Sequence, residues 1–531
     1  MQTDRLASPS AWAAARWPPG LLLALGAVPA ALVLLPIAVT LADAATAGAA
    51  QIAALLWRPL VGTLLVNTVS LTVAAATCCV VLGTGAAFLI ERTDLPGRAL
   101  WAVLVTAPLA VPAFVASYAW VSINPVFEGF GGALLVTVFA YVPLVFLPVA
   151  AALRGLDPAL EESARALGEP PWRCVLRVVL PQLRPAMLGG ALLVALNVLV
   201  EFGAFALMRF RTFTTEIYAA YRSGFDGAEA AALAIVLLLF CFACLGGEAA
   251  LRSRARYAKF GRGVRRPPTP YRLGRWRLPA ALGLMLLAGV SLGVPIGTVL
   301  FWLTRHGAAA ITPDEASPRA LLMATWSTVE LGGGAACLTL ALALPLAVLS
   351  TRWPRFVLTG LMERGAWLAQ GVPGIVIALA LITATARTVP PLYESTALLL
   401  IAYAILFLPY ALVGLRTALL QADRRTEDAA RSLGAGWPRV LRRIVLPLAS
   451  PGFGAAAALV FIVVTTELTA TLLLAPIGTE TLAIRVWDDT STLAFAAAAP
   501  YAAVLVALSM TASWLLARRF GFGAFRADVG G

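Results

Sequence analysis

The stretch Glu161-Glu162-Ser163-Ala164-Arg165-Ala166-Leu167-Gly168, followed after nine residues by Val178-Val179-Leu180-Pro181, occurs twice in this chain. The second copy reads Glu427-Asp428-Ala429-Ala430-Arg431-Ser432-Leu433-Gly434 and, after the same nine residues, Ile444-Val445-Leu446-Pro447. Matched positions lie 266 residues apart without a gap, and 11 of the 25 positions from Glu161 to Pro185 are identical in the copy that ends at Pro451. A charged, helix-forming segment duplicated at fixed spacing inside an apolar chain predicts two repeats of one architecture.

The surroundings of the two copies set the class. Of 531 residues 60% are hydrophobic and 13% charged, with a mean hydropathy of +0.86, which is the composition of a membrane protein with many spans. The net charge of +13 belongs to the loops of such a protein rather than to a nucleic-acid surface, because basic residues gather on one side of the membrane. Lys259 is the one lysine and His306 the one histidine, so histidine catalysis and histidine metal clusters have no raw material. Cys78, Cys79, Cys174, Cys241, Cys244 and Cys337 fall mostly in apolar runs and read as small core residues. The Cys241-Phe242-Ala243-Cys244 spacing resembles a redox motif but sits inside a span.

Twelve apolar runs are spanning candidates: about 20–41, 60–90, 99–123, 131–153, 185–208, 229–249, 278–303, 321–350, 356–385, 395–415, 452–475 and 493–517. Leu41-Ala42-Asp43-Ala44-Ala45 looks like a signal-peptidase site, but its apolar run is longer than a secretory signal needs and is read as a retained anchor. With the N-terminus cytoplasmic, 32 of the 40 Arg and Lys residues fall in inside segments, as the positive-inside rule requires. Both termini and both repeated segments are then cytoplasmic.

The predicted organisation is a first half, 1–249, with its repeated loop at about 154–184; a basic cytoplasmic linker, 250–277; and a second half, 278–531, with its loop at about 416–450. Val111-Pro112 echoes Val372-Pro373, and Phe146-Leu147-Pro148 echoes Phe407-Leu408-Pro409. Six spans per half make the repeats parallel, so the fold class is an all-α membrane protein of about 12 helices in two six-helix repeats.

Within the repeated segment, acidic residues at the start and arginine further along suit the helix dipole. Gly168 and Gly434 end their helices or admit another backbone. Leu180-Pro181 is expected to turn the chain into the next span, and Thr426-Glu427-Asp428 to cap the second helix. A single copy reads as an ordinary amphipathic loop at the membrane surface. Two copies on one face point to a docking element for a partner with two-fold symmetry.

The pattern resembles the cytoplasmic coupling loop (the EAA motif) of ABC importer permeases: Glu-Ala-Ala, three residues, Gly, nine residues, Ile, one residue, Leu-Pro. Glu162, Ala164, Arg165, Gly168, Leu180 and Pro181 carry the match in the first copy, and Asp428, Ala430, Arg431, Gly434, Leu446 and Pro447 in the second. Asp428 departs from the usual glutamate, with Glu427 adjacent. The likeness runs over nearly the whole chain, and Arg92–Arg98, Glu201–Ala204, Thr212–Tyr218, Glu467–Leu474 and Glu480–Trp487 look like the fused ferric-iron permeases. That resemblance implies a bacterial inner-membrane permease that performs no chemistry. A homodimeric ABC ATPase holding ATP and Mg would dock on the cytoplasmic face. A periplasmic or lipid-anchored solute-binding protein would deliver ferric iron to the outer face. Membrane lipid would surround the spans, and neither nucleic acid nor a cofactor would bind the chain itself. The residues agree on one point independently: a phosphate-binding loop needs Gly-Lys-Ser/Thr, and the one lysine lies between Ala258 and Phe260.

Ionisable residues inside spans are costly and are functional suspects. Glu201 and Glu467 occupy matched positions, each 20 residues after its repeat's closing proline. That is roughly 30 Å along a helix, in the outer half of the bilayer. Two readings stand side by side. The pair could line the path, even ligating a hard cation through oxygen, or each glutamate could pack between helices and stabilise a gate. Arg209 and Arg211 could neutralise the first. Rival functions are a permease for thiamine, phosphonate or polyamine, an ion-coupled secondary transporter of six plus six helices, and an intramembrane enzyme, which the scarcity of catalytic groups disfavours.

Overall fold

The computed structural model describes residues 17–224, 227–255, 270–305, 317–421 and 424–520. Most of the linker's charge run, Lys259 included, and His306 lie outside the described residues. Within them, ten helices are long and apolar enough to cross a membrane, and two bent pairs raise the number to twelve. The protein is an all-α, multi-pass membrane protein.

The bends fall on the echoed Val-Pro dipeptides. Arg98–Ala110 and Ala113–Ile123 meet at 90°, and Val357–Gly371 and Gly374–Thr388 at 109°. The runs 99–123 and 356–385 are therefore not single straight rods. A proline disfavours helical backbone at the residue before it, and Val111 and Val372 are extended, with φ of −101° and −103°. Pro112 and Pro373 then start the second helix of each pair, where the missing N–H costs no hydrogen bond.

Other prolines are absorbed without a turn. Leu180-Pro181 and Leu446-Pro447 lie inside the continuous helical spans Pro171–Val200 and Pro438–Thr465, so the expected turn into the next span is absent and both spans begin earlier than the apolar runs suggest. Five-residue π-turns at Val175–Val179 and Leu441–Val445 immediately precede each Leu-Pro. There the Leu180 N–H donates to the Val175 carbonyl and the Leu446 N–H to that of Leu441. Widening one turn shifts the register just where the ring would crowd the preceding carbonyls. The same device, Gly289–Gly293, precedes Pro295.

The chain forms two compact units that differ from the sequence halves 1–249 and 278–531. The larger comprises Asp43–Leu321 with Arg485–Met510, and the smaller Met1–Ala42, Leu322–Ile484 and Thr511–Gly531. In the larger unit the core centres on Pro59–Arg92, Phe130–Gly155 and Leu180–Val200, through Leu71, Ala75, Val142, Val145, Val149 and Val194. Glycine lets these helices approach: a Cβ on Gly83 would lie 2.9 Å from Val145 Cβ, and one on Gly190 2.8 Å from Val145 Cα. Leu284 and Leu287, from the first span after the linker, join this core. In the smaller unit a Cβ on Gly452 would lie 2.3 Å from Ala418 Cβ, and one on Gly414 2.5 Å from Ala456 Cβ, so Thr396–Gln421 and Leu446–Thr465 cross tightly. The chain's first span packs here too, Gly26 lying against Leu349 and Trp17 stacking edge-on with Phe356 at 5.7 Å. Each half thus lends its first span to the other half's core.

A Gly83→Val substitution should lower stability by about 1–3 kcal/mol through overpacking, whereas Gly85→Val, whose Cβ would meet nothing within 4 Å, should be near neutral. Thermal unfolding of the two detergent-solubilised variants, followed by loss of monodisperse protein, checks the contrast.

Candidate functional site

The two coupling segments fold alike. The Asp157 carboxylate accepts the Ala159 N–H at 3.0 Å and starts the helix Ala159–Ala166. Gly168 ends it in the left-handed region, φ +87°, and the N–H groups of Gly168 and Glu169 donate to the carbonyls of Arg165 and Ala164 at 2.9 and 3.1 Å. In the second copy the helix is Arg424–Ser432 and Gly434 has φ +83°. The Gly434 and Ala435 N–H groups reach Arg431 and Ala430 at the same 2.9 and 3.1 Å. A Cβ on either glycine would meet nothing within 4 Å among the described residues, so glycine is required for the left-handed stop and not for a close approach to any of them.

The helices are held from beneath by a pair whose members lie outside the family pattern. Glu161 is buried and accepts from the buried Arg92, from Arg165 at 3.0 Å, and from the Tyr271 hydroxyl at 2.6 Å. Glu427 is fully buried and accepts from the buried Arg352, which also donates to the Leu419 carbonyl at 3.3 Å. Arg92 and Arg352 are the last residues of the spans Pro59–Arg92 and Pro318–Arg352, so each coupling helix is pinned to the end of a membrane helix. Glu427 therefore anchors the second helix rather than capping it, since that helix already begins at Arg424. The signal was present in the repeat: Glu161 and Glu427 are identical in the two copies, while Glu162 and Asp428 are only similar.

The sequence-selected residues take the remaining faces. Glu162, Gly168 and Gly434 are exposed, whereas Ala164, Arg165, Asp428, Ala430 and Arg431 are half-buried. Leu180, Pro181 and Leu446 are half-buried in the span that follows, and Pro447 is exposed. Leu167 and Leu433, which immediately precede the glycines, are 86% and 88% exposed. An apolar knob that bare beside a left-handed stop is a feature of both loops.

Glu201 and Glu467 do not sit within a helix. Leu180–Val200 stops just before Glu201, and Leu446–Thr465 stops two residues before Glu467. Each carboxylate then accepts the N–H of the residue three further on, Ala204 or Ala470, both at 2.9 Å, at the start of the short helix Gly203–Leu207 or Thr469–Leu474. The Tyr141 hydroxyl donates to Glu201 at 2.7 Å. Thr214 and Thr471 donate to the backbone carbonyls of Glu201 and Glu467 at 2.6 and 2.7 Å. Arg209 and Arg211 do not neutralise Glu201; they pair with Glu128 and Glu216 at 3.5 and 3.7 Å. Among the described residues no three His, Cys, Asp or Glu side chains converge to hold a metal ion.

A family profile described as "Binding-protein-dependent transport system inner membrane component" matches residues 79–257 and 343–520. The chain belongs to this family. Each match takes in one coupling helix and the glutamate break that follows it. Among individual relatives, the Fe(3+)-transport system permease protein FbpB 2 of Haemophilus influenzae is 36% identical over 92% of this chain and 96% of its own length. A probable ABC transporter permease protein of Sinorhizobium fredii is 25% identical over 72% of this chain and 74% of its own. The sulfate transport system permease protein CysT of Escherichia coli is 31% identical over 35% of this chain and 72% of its own.

Removing one partner of a buried ion pair leaves the other charge uncompensated, at a cost of about 3–5 kcal/mol. Arg92→Met or Glu161→Leu alone should therefore destabilise strongly, while the double variant should recover part of the loss. A double-mutant cycle on unfolding midpoints measures the coupling, and additive losses would mean that the two side chains do not interact.

Proposed function

We propose that this chain is the membrane-spanning permease of an ATP-driven importer of ferric iron, with its two coupling helices docking on a pair of ATPase subunits. The observation that carries the reading is the pair of coupling helices. They share one left-handed stop and one buried Arg–Glu anchor, and each leaves an exposed leucine free for a partner. A dimeric ATPase that closes on ATP and Mg would move both helices together. Family membership supports the importer, and the ferric-iron cargo rests on the relative that matches 92% of this chain. The distribution of Arg and Lys supports cytoplasmic termini and coupling loops, which leaves the opposite face for a solute-binding protein.

In this reading the carboxylates of Glu201 and Glu467, at two breaks in the membrane helices, favour a cation along the path. Their hydrogen bonds to Ala204 and Ala470 support a second duty, holding the short helices that follow. Glutamine separates the two, since it keeps size and a carbonyl acceptor but loses charge.

Two outcomes are expected. Gly168→Glu with Gly434→Glu should leave the chain inserted but weaken ATPase association roughly tenfold, equivalent to about 1.4 kcal/mol, as read by co-purification titration; undiminished association would sink the docking reading. Proteoliposomes with the double substitution Glu201→Gln and Glu467→Gln should retain ATPase assembly and lose ferric-iron uptake several-fold. Wild-type uptake would return both glutamates to helix packing alone. Uptake by the permease alone under a proton or sodium gradient would instead establish secondary transport.

A further inference from the structure

The segment that leaves the linker is stitched to the first coupling helix. Tyr271 N–H donates to the Arg92 carbonyl at 2.7 Å, and Asp94 N–H donates to the Tyr271 carbonyl at 3.1 Å. Together they make a short parallel bridge between Thr93 and Tyr271. The Tyr271 ring lies 5.5 Å from the Phe88 ring and 4.6 Å beneath the Arg165 guanidinium, while its hydroxyl reaches Glu161. Two residues on, Leu273 N–H donates to Asp94 at 2.8 Å, and Arg277 pairs with the same carboxylate. Arg277 opens the helix Arg277–Ala288 of the span Gly274–Leu303.

Tyr271 therefore joins three elements: the coupling helix through its side chain on Glu161 and Arg165, the span Pro59–Arg92 through the Phe88 ring and its own backbone N–H on the Arg92 carbonyl, and by chain continuity its own span, which begins three residues on at Gly274. The hydroxyl satisfies a buried carboxylate that already has two guanidinium partners, so hydrogen bonding there is directional and costly to lose. Asp94 clamps the far end. The Arg277 hydrogen bond pulls its carboxyl down to about 2 from its ordinary value of 3.8. A depressed folded value keeps the clamp at full strength above 3.8 and loses it only as pH falls towards 2, so the strap stays closed at any physiological pH.

We infer that Tyr271 is a positioning residue that ties the first coupling helix to the span Gly274–Leu303, so that a displacement of the coupling helix is passed to that span as well as to Pro59–Arg92. The inference rests on the docking of the coupling helices to an ATPase. It goes beyond docking by naming the route inward, through the residue at which the two halves of the sequence are joined. A joint in which the half-buried Tyr271 is held by the buried Arg92 and Glu161 passes movement on through packed and hydrogen-bonded contacts.

The test uses the permease reconstituted with its ATPase and binding protein in proteoliposomes, with ferric iron supplied as a citrate chelate to the binding protein. Wild-type uptake and the Gly168→Glu, Gly434→Glu control are measured first, so that failure of the iron or docking reading is seen separately. Tyr271→Phe removes one hydroxyl and keeps the ring. It should leave ATPase association unchanged and reduce iron taken up per ATP hydrolysed by roughly three- to tenfold, inside the roughly 2- to 30-fold span of couplings carried by such networks. Asp94→Asn, which loosens the strap without touching Glu161, should lower the same ratio by a smaller factor. A merely structural role would lower protein yield, hydrolysis and uptake together and leave the ratio alone. An unchanged ratio in Tyr271→Phe overturns the inference, and so does lost ATPase association in that variant, which would place Tyr271 in docking.

Discussion

A carboxylate and a guanidinium buried together beneath each coupling helix are the contact on which the rest of this structure depends. Burying either charge alone costs several kcal/mol, so the two must arrive as a pair, and the place where they meet is fixed by two different elements. Arg92 and Arg352 stand at the ends of long membrane helices, and Glu161 and Glu427 stand in the first turns of short surface ones. A short helix of eight or nine residues has little stability of its own in water. It persists because one of its side chains is committed to a buried partner. The coupling segment is thereby a rigid extension of the span to which it is pinned.

A second constraint shapes the spans themselves. Backbone groups freed by a break inside a membrane have no water to turn to, so each break carries its own remedy. At the Val-Pro bends, proline occupies the position where an N–H would be left over. At the Leu-Pro positions, a π-turn shifts the register without stopping the helix. At Glu201 and Glu467 the carboxylate takes up an N–H of the next short helix, and a threonine hydroxyl takes up the glutamate's own carbonyl. A membrane glutamate thus satisfies backbone with one oxygen, and at Glu201 the Tyr141 hydroxyl takes up the other.

The duplicated segment, the all-helical class and nearly all the spans were legible in the chain, because long apolar runs and a fixed repeat do not depend on tertiary contacts. What escaped were features decided by packing. Val111-Pro112 and Val372-Pro373 were recognisable as echoes, yet a proline in an apolar run is compatible with a kink, a bend or an uninterrupted span, and neighbours choose among them. Leu180-Pro181 misled in the opposite sense, reading as a turn where a π-turn absorbs the ring. Glu161 stands outside the family pattern, which begins one residue later, at Glu162. Adjacent residues on a helix face different ways, and the face that is buried is set by Arg92, which lies 69 residues away. The exchange of first spans between the two cores left no local mark at all.

That buried face also explains why the motif has the residues it has. With Glu161 turned inward, the helical period brings Ala164 and Arg165 to the same side and sends Glu162 outward. The structure agrees: Ala164 and Arg165 are half-buried and Glu162 is exposed. Ala164 lies one helical turn from Glu161, and Ala430 holds the matched place relative to Glu427, both half-buried. Arg165 closes the inward face as a second partner for Glu161. The left-handed glycine then ends the helix one residue after a leucine that the described residues leave exposed. The alanine and arginine of the repeated pattern therefore belong to holding the helix, and the exposed acid, the leucine and the glycine belong to what the helix meets. One buried pair divides the motif into these two sets, and the second copy departs at one position, where Asp428 is half-buried in place of the exposed Glu162.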